Sequence, residues 1–325
     1  MRILKAKIKK ILLIRFRMLG DVMLTTPAVT ALSTAFPKAT ITYCTGRKAK
    51  EVLEHNPHID NFLLYHPALL REIIQLPPFD LAINFEKDEF SGMVCFLSRA
   101  RYRVGFRRNV SFPRIRQDIY TMVPARAKNR SDALHSFMSL LKASGIRAVS
   151  RKTRMYLTRK ELAFANAYFK RRGIEARGLI GVQPVKDDHQ CPWGEENFRA
   201  LIHRLLQEFP DLSVAVFQGP ASGENRIIER IYRSVRLPKR CIRIPPLPLR
   251  KYASLLQKCS VLVAHDGGPL HFAAGLGVRT VGIFGPRDSA YWYPYKKKEG
   301  HLLFKKEDIR SIAVEDVARA IRTLL

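Results

Sequence analysis

The first apolar segment, Ile11-Leu12-Leu13-Ile14, is short and unbroken, between Lys9-Lys10 and Arg15. A run of that length suits a parallel strand covered on both faces. After the turn Arg15 to Gly20, residues 22–36 set Leu24, Ala28, Ala31/Leu32 and Ala35 on one helical face, and Pro37 ends the segment. The alternation repeats, with strands predicted over 41–44, 62–65 and 80–85 and helices near 48–54, 68–76 and 90–98. Residues 101–130 are Arg-rich and without period, so loops and short strands are expected there, before helices at 132–143 and 159–172. The rhythm then restarts: strands over 179–182, 213–217, 241–244, 261–264 and 280–284 alternate with helices over 195–208, 224–234, 250–258 and 269–276. Strands and helices alternating at this spacing mean parallel α/β units.

A glycine-flanked segment, Gly173 to Gly178, is the best linker candidate in the chain. It predicts an N-terminal domain over 1–172 and a C-terminal domain over 173–312. The amphipathic C-terminal helix, 313–325, is expected to pack back on the first domain. A length of 325 residues agrees with two domains at ~100–200 residues each.

Composition narrows the class. Hydrophobic residues make up 46% and charged residues 26%, which excludes a disordered basic tail. No apolar run approaches the ~18–20 residues of a membrane-spanning helix, and the apolar stretch at the start stops at Arg15, too short for a secretory signal. Five scattered cysteines with no C-x-x-C pair argue against a disulfide framework and a thiolate zinc site, so a reduced, cytoplasmic location is expected. The formal charge is +29, and residues 101–160 hold sixteen Lys and Arg against two Asp. That uneven load points to an anionic partner: nucleic acid, an anionic membrane face or a phosphorylated substrate. A solvated basic surface would read the same.

Four strand-end turns carry candidate chemistry. Gly20-Asp21 follows the first strand, where open α/β sheets bind ligands, although Asp is also an ordinary helix cap. The turn is not G-x-G-x-x-G, so the dinucleotide fingerprint is absent. His265-Asp266-Gly267-Gly268-Pro269-Leu270-His271 joins a strand to a helix whose free N–H groups favour phosphate. His271, one turn in, is placed for a phosphate or ribose oxygen. Gln218-Gly219-Pro220 with Glu224 suits a ribose, and Lys186, after the strand at 179–182, suits a pyrophosphate. A tight turn, a packed histidine or a loop lysine would explain each of these alone.

Together, the opening Gly20-Asp21-Val22…Thr25-Thr26-Pro27-Ala28, the Gln218-Gly219-Pro220…Glu224 turn and the block Asp266-Gly267-Gly268-Pro269-Leu270-His271-Phe272-Ala273-Ala274 through Phe284-Gly285-Pro286 resemble glycosyltransferase family 9. These are the ADP-heptose:lipopolysaccharide heptosyltransferases, and the similarity covers nearly the whole chain. The resemblance implies a GT-B fold, an α/β pair of Rossmann-like doubly wound domains facing across a cleft. The N-terminal half would bind the acceptor and the C-terminal half the nucleotide-sugar. It implies inverting transfer of heptose from ADP-heptose to an inner-core sugar, with no metal or other cofactor. Asp21 matches the family's general base, beside Gly20 on the acceptor side. Asp266, Gly267, Gly268, Pro269 and His271 match the donor-diphosphate loop, Gly219 and Glu224 the ribose turn, and Leu247 the apolar position beside adenine.

The sequence departs from that family twice. Gly267 stands where members usually carry Ser or Thr. No lysine precedes Trp193 at the usual place in His189-Gln190-Cys191-Pro192-Trp193, which makes Lys186 the candidate replacement. A member with another donor or acceptor, or with lost turnover, is therefore an open alternative. The basic segment with Arg107 and Arg108, then Arg114 and Arg116, would meet the acceptor's carboxylates and phosphates, for which arginine forks are suited. Peripheral association with the cytoplasmic face of the inner membrane is expected from the same charge. A nucleic-acid-binding α/β protein is the rival class, but no binding motif supports it and charge leaves the 266–271 block unexplained.

Overall fold

The computed structural model describes residues 7–106, 119–124, 132–147, 150–174, 178–186, 190–219, 224–235, 239–285, 299–304 and 308–325. The chain forms two units, Met1–Met155 and Tyr156–Leu325.

The first unit runs β1 (Lys10–Ile14), α1 (Leu19–Ala35), β2 (Thr40–Thr45), α2 (Arg47–Leu53), β3 (Asn61–Leu64), α3 (Leu69–Gln75), β4 (Leu81–Asn84), α4 (Glu89–Leu97), β5 (Tyr102–Val104) and α5 (Ala133–Ala143). Its five strands are parallel in the order β3-β2-β1-β4-β5. Ile11 to Ile14 are fully buried, as the unbroken apolar run requires. Helix α1 passes through Pro27, which cannot donate to the Met23 carbonyl. The Thr26 hydroxyl donates to that carbonyl instead, at 2.8 Å.

The second unit runs α6 (Arg159–Lys170), β6 (Leu179–Gln183), α7 (Glu195–Glu208), β7 (Ser213–Phe217), α8 (Glu224–Arg233), β8 (Cys241–Ile244), α9 (Leu249–Leu256), β9 (Val261–His265), α10 (Gly268–Leu276), β10 (Arg279–Phe284), β11 (Gly300–Phe304) and α11 (Val314–Leu324). Six parallel strands take the order β11-β10-β9-β6-β7-β8. Each sheet therefore winds outward in both directions from its own first strand. In each, the order reverses beside that strand, between β1 and β4 and between β6 and β9.

Two expectations need correction. Helix α6 belongs to the second unit: a Thr158–Glu161 capping box starts it, and Arg250 of α9 donates to both Glu161 oxygens, at 2.5 and 3.0 Å. The glycines at 173 and 178 turn the chain from α6 into β6, a signal that a linker would share, so the division falls after Met155. The C-terminal helix α11 packs in the second unit, on α7, β10 and β11. Its Val317, Ala318, Ile321 and Leu324 are buried in one core with Trp193, Phe198 and Leu205, and Arg322 bonds Glu208 of α7 at 2.9 Å. Residues 300–304, left unassigned by the pattern, form the edge strand β11.

Candidate active site

At the reversal point of the first sheet, Ile14 of β1 lies opposite Asn84 of β4, and the chain leaves both strands at the same edge. Arg15 is the first residue beyond β1 and Glu86 the second beyond β4. The Arg15 guanidinium reaches both carboxylates of this edge: one Nη bonds Asp21, and the other donates to Glu86 Oε2 at 3.0 Å and to the Phe85 carbonyl at 3.1 Å. All three side chains are nearly buried. Asp21 sits in the first turn of α1, where Met18 holds the cap position without a side-chain bond. The Asp21 carboxylate is engaged by Arg15.

The loop that carries Asp21 is fixed from below. Glu86 Oε1 accepts from the backbone N–H of Phe16 at 2.9 Å and of Arg17 at 3.4 Å. Glu86 is itself tied to Asn84, whose Oδ1 accepts from the Glu86 N–H at 2.9 Å and whose amide donates to Ser91 and Tyr120. A β-carbon at Gly46 would lie 2.6 Å from the Phe16 carbonyl oxygen, so only glycine lets the β2–α2 turn close under this loop.

At the reversal point of the second sheet, Gln183 of β6 lies opposite Ala264 of β9. Beyond these strand ends, Lys186 Nζ comes within 3.7 Å of Asp266 Oδ2. Gly267 follows at φ +152°, a conformation that favours glycine. The Ser or Thr expected from the family resemblance would be strained in this backbone, which accounts for glycine here. Helix α10 starts at Gly268 with Pro269 in its first turn and Gly267 at its cap position, and the positive end of a helix dipole there favours an anion. Gly219 follows β7, Glu224 opens α8, and the half-buried Leu247 follows β8, beyond the carboxyl ends of these parallel strands. Gly20 is buried in the first turn of α1. Arg107 and Arg108 lie outside the described residues, as does the Glu224 side chain.

Two histidines flank the α10 turn from inside. His265 ends β9 and His271 sits one turn into α10, 3% and 5% exposed. Burial pushes both imidazoles down to about 4, so both are neutral at neutral pH. Below pH 6.5 the unfolded chain takes up protons that the folded imidazoles refuse until about pH 4. Stability from these residues is complete above 6.5 and lost as pH falls toward 4. The melting temperature of the protein should fall over that window, and His271→Gln should flatten the decline.

Sequence reasoning named Asp21, Lys186 and Asp266 and did not name Arg15 or Glu86 as site residues. The signal was available: each is a charged residue just past the end of one of the two strands that border the reversal point.

The family model for "Glycosyltransferase family 9 (heptosyltransferase)" matches residues 69–319. Lipopolysaccharide heptosyltransferase 3 of Escherichia coli is 21% identical, across 91% of this chain and 89% of that protein. Among solved structures, a glycosyl transferase family 9 protein from Veillonella parvula superposes with a TM-score of 0.83 at 20% identity, covering 97% of each chain. E. coli heptosyltransferase WaaC with ADP superposes at 0.76 and 17% identity, covering 97% of this chain and all of that one. A match to the family model over most of the sequence, on two parallel-sheet units of the GT-B kind, makes this chain a glycosyltransferase, and it belongs to glycosyltransferase family 9, the heptosyltransferases.

Proposed function

We propose that the protein transfers heptose from ADP-heptose to an inner-core sugar of lipopolysaccharide, inverting the anomeric centre without a metal, with Asp21 as the general base. What carries this reading is that charged chemistry gathers where strand order reverses in each sheet: the Arg15-held carboxylate in the first unit and the Lys186–Asp266–α10 turn in the second. The relative solved with ADP supports an adenosine diphosphate leaving group.

Inversion needs one base. The acceptor hydroxyl oxygen forms its bond to the anomeric carbon from the face opposite ADP, while the bond from that carbon to the diphosphate oxygen breaks. Asp21 takes the hydroxyl proton, and one carboxylate suffices, unlike the pair of a glycosidase. An aspartate held by an arginine is a weak base at rest and accepts the proton late, once bond cleavage has made the hydroxyl acidic. Negative charge growing on the departing diphosphate falls to the N–H groups of α10 and to Lys186. Lys186→Ala should weaken ADP binding about tenfold or more, the usual loss for one charge-assisted hydrogen bond, as isothermal titration would show.

The test is ADP release from ADP-heptose in EDTA, with and without a truncated inner-core acceptor. Acceptor-dependent release that persists in EDTA supports the reading. ADP binding with no release would favour a different donor or lost turnover, the alternative that Gly267 raises.

The acceptor's carboxylates and phosphates and the basic load of residues 101–160 support the protein's attachment to the cytoplasmic face of the inner membrane. No helix among the described residues is long and apolar enough to cross a membrane. Binding to anionic vesicles should fall steeply between ~50 and ~500 mM salt, as screening of exposed charge requires. Binding that is flat across a co-sedimentation series would oppose it.

A further inference from the structure

Glu86 has no place in the mechanism above, yet it is built firmly into the site. It is nearly buried, both of its oxygens are engaged, and its own backbone N–H is held by Asn84. Arg15 thus bridges two carboxylates, one nitrogen for each.

We infer that Glu86 is a positioning residue that sets the basicity of Asp21 by sharing the Arg15 charge, so that the site closes at zero charge when Asp21 receives its proton. The inference rests on Asp21 being the base. With one guanidinium and two carboxylates, the cluster carries −1 at rest and 0 after proton uptake. Without the Glu86 charge it would run from 0 to +1, a cation left in a nearly buried site of a chain that already carries +29. A single arginine facing Asp21 alone would hold the carboxylate ionised more firmly and make its proton uptake harder. Glu86 also aims the carboxylate, because its bonds to the Phe16 and Arg17 N–H groups fix the loop that leads to α1.

The other charged and titratable groups described around the cluster are common to the protein with and without the Glu86 charge. From β2, the buried Tyr43 phenol, bonded to Thr25 at 2.6 Å, is pushed up by burial and stays neutral. From α5, the Phe137 ring lies 5.5 Å from the Arg15 guanidinium, and His135 on that helix is exposed. Arg17 and Lys87 point to aromatic rings, those of Tyr65 and Phe106.

The test reads Asp21 directly, by carboxyl-carbon NMR of protein labelled with ¹³C-aspartate, its resonance assigned by loss in Asp21→Asn. Glu86→Gln keeps an oxygen for the Phe16 N–H and puts an amide that cannot accept in place of the oxygen facing Arg15, so the charge and the Arg15 bond are removed together. Its Asp21 midpoint should move to lower pH by about one unit or more, as loss of a like charge a few ångströms away requires. Glu86→Asp should restore most of the difference. An unmoved midpoint in a folded Glu86→Gln protein would overturn the inference, whether or not the protein turns over ADP-heptose. Where wild-type transfer is measurable and depends on Asp21, Glu86→Gln should also lower kcat about tenfold or more, leave the donor KM unchanged and move the acid limb of the pH profile with the NMR midpoint. A loss of kcat equal at every pH, tracking a lower melting temperature, would assign Glu86 a structural role only and overturn the tuning.

Discussion

Asp21→Ala should abolish acceptor-dependent ADP release, lowering kcat roughly a thousandfold, within the ~10²–10⁴ that a positioned general base contributes. ADP affinity should be unchanged, because every residue assigned to the donor lies in the second unit. The variant should also fold. Asp21 is in the first turn of α1, and α1 is held by its buried face from Val22 to Leu32. Arg15 keeps Glu86 and the Phe85 carbonyl as partners when Asp21 is gone, so no buried cation is stranded. Single-turnover release with and without acceptor, beside a calorimetric ADP titration, separates the outcomes. Residual acceptor-dependent turnover near the wild-type rate would remove Asp21 from the base role.

The second large effect is on stability. Trp193→Ala should cost about 4 kcal/mol, in the range measured for deleting a buried aromatic side chain. Trp193 is fully buried, its ring meets Phe198 edge-on at 4.8 Å, and its indole N–H donates to the Ile312 carbonyl at 2.8 Å. That bond ties the turn before α7 to the segment before α11, so the substitution opens a cavity and strands a buried carbonyl together. Urea unfolding should show a midpoint shift confined to the second unit. Trp193→Phe, which keeps most of the volume and loses only the bond, should cost far less. A shift below 1 kcal/mol for the alanine variant would mean that the surrounding core collapses onto the site.

How far the sequence carried the structure depends on how local each signal was. Strand and helix positions were legible because each buried strand is an unbroken apolar run and each helix has a face. The predicted spans 195–208, 213–217 and 241–244 coincide with α7, β7 and β8. Strand β11 was missed: its Gly300-His301-Leu302-Leu303-Phe304 is short, and an edge position is defined only by the β10 partner it pairs with. The C-terminal helix was rightly seen as amphipathic, but an apolar face does not say which surface it covers. Asp21, Lys186 and Asp266 were legible because strand ends are where open sheets bind ligands. Glu86 was not, since its meaning comes from β4 lying beside β1, a neighbour relation that only the sheet order supplies.

Helix α6 has a consequence for anyone dissecting the molecule. Cutting at the glycine-rich stretch 173–178, the obvious place by sequence, would strip α6 from the surface it covers. Lys251 would lose the Phe164 ring 5.2 Å away, and Arg250 would lose Glu161. Burial pushes that carboxyl up, but its bonds from Arg250 and Thr158 prevail and hold it at about 2, so the pair stays charged in any ordinary buffer. The severed fragment would expose the face of α9 that α6 covers and leave the Arg250 guanidinium without its carboxylate, and it should aggregate more readily during expression. A fragment starting at Tyr156, whose carbonyl also accepts from Arg250 at 2.7 Å, keeps its own lid. The natural seam for domain swaps among relatives is therefore the stretch before α6, and chimaeras joined there inherit an intact second unit.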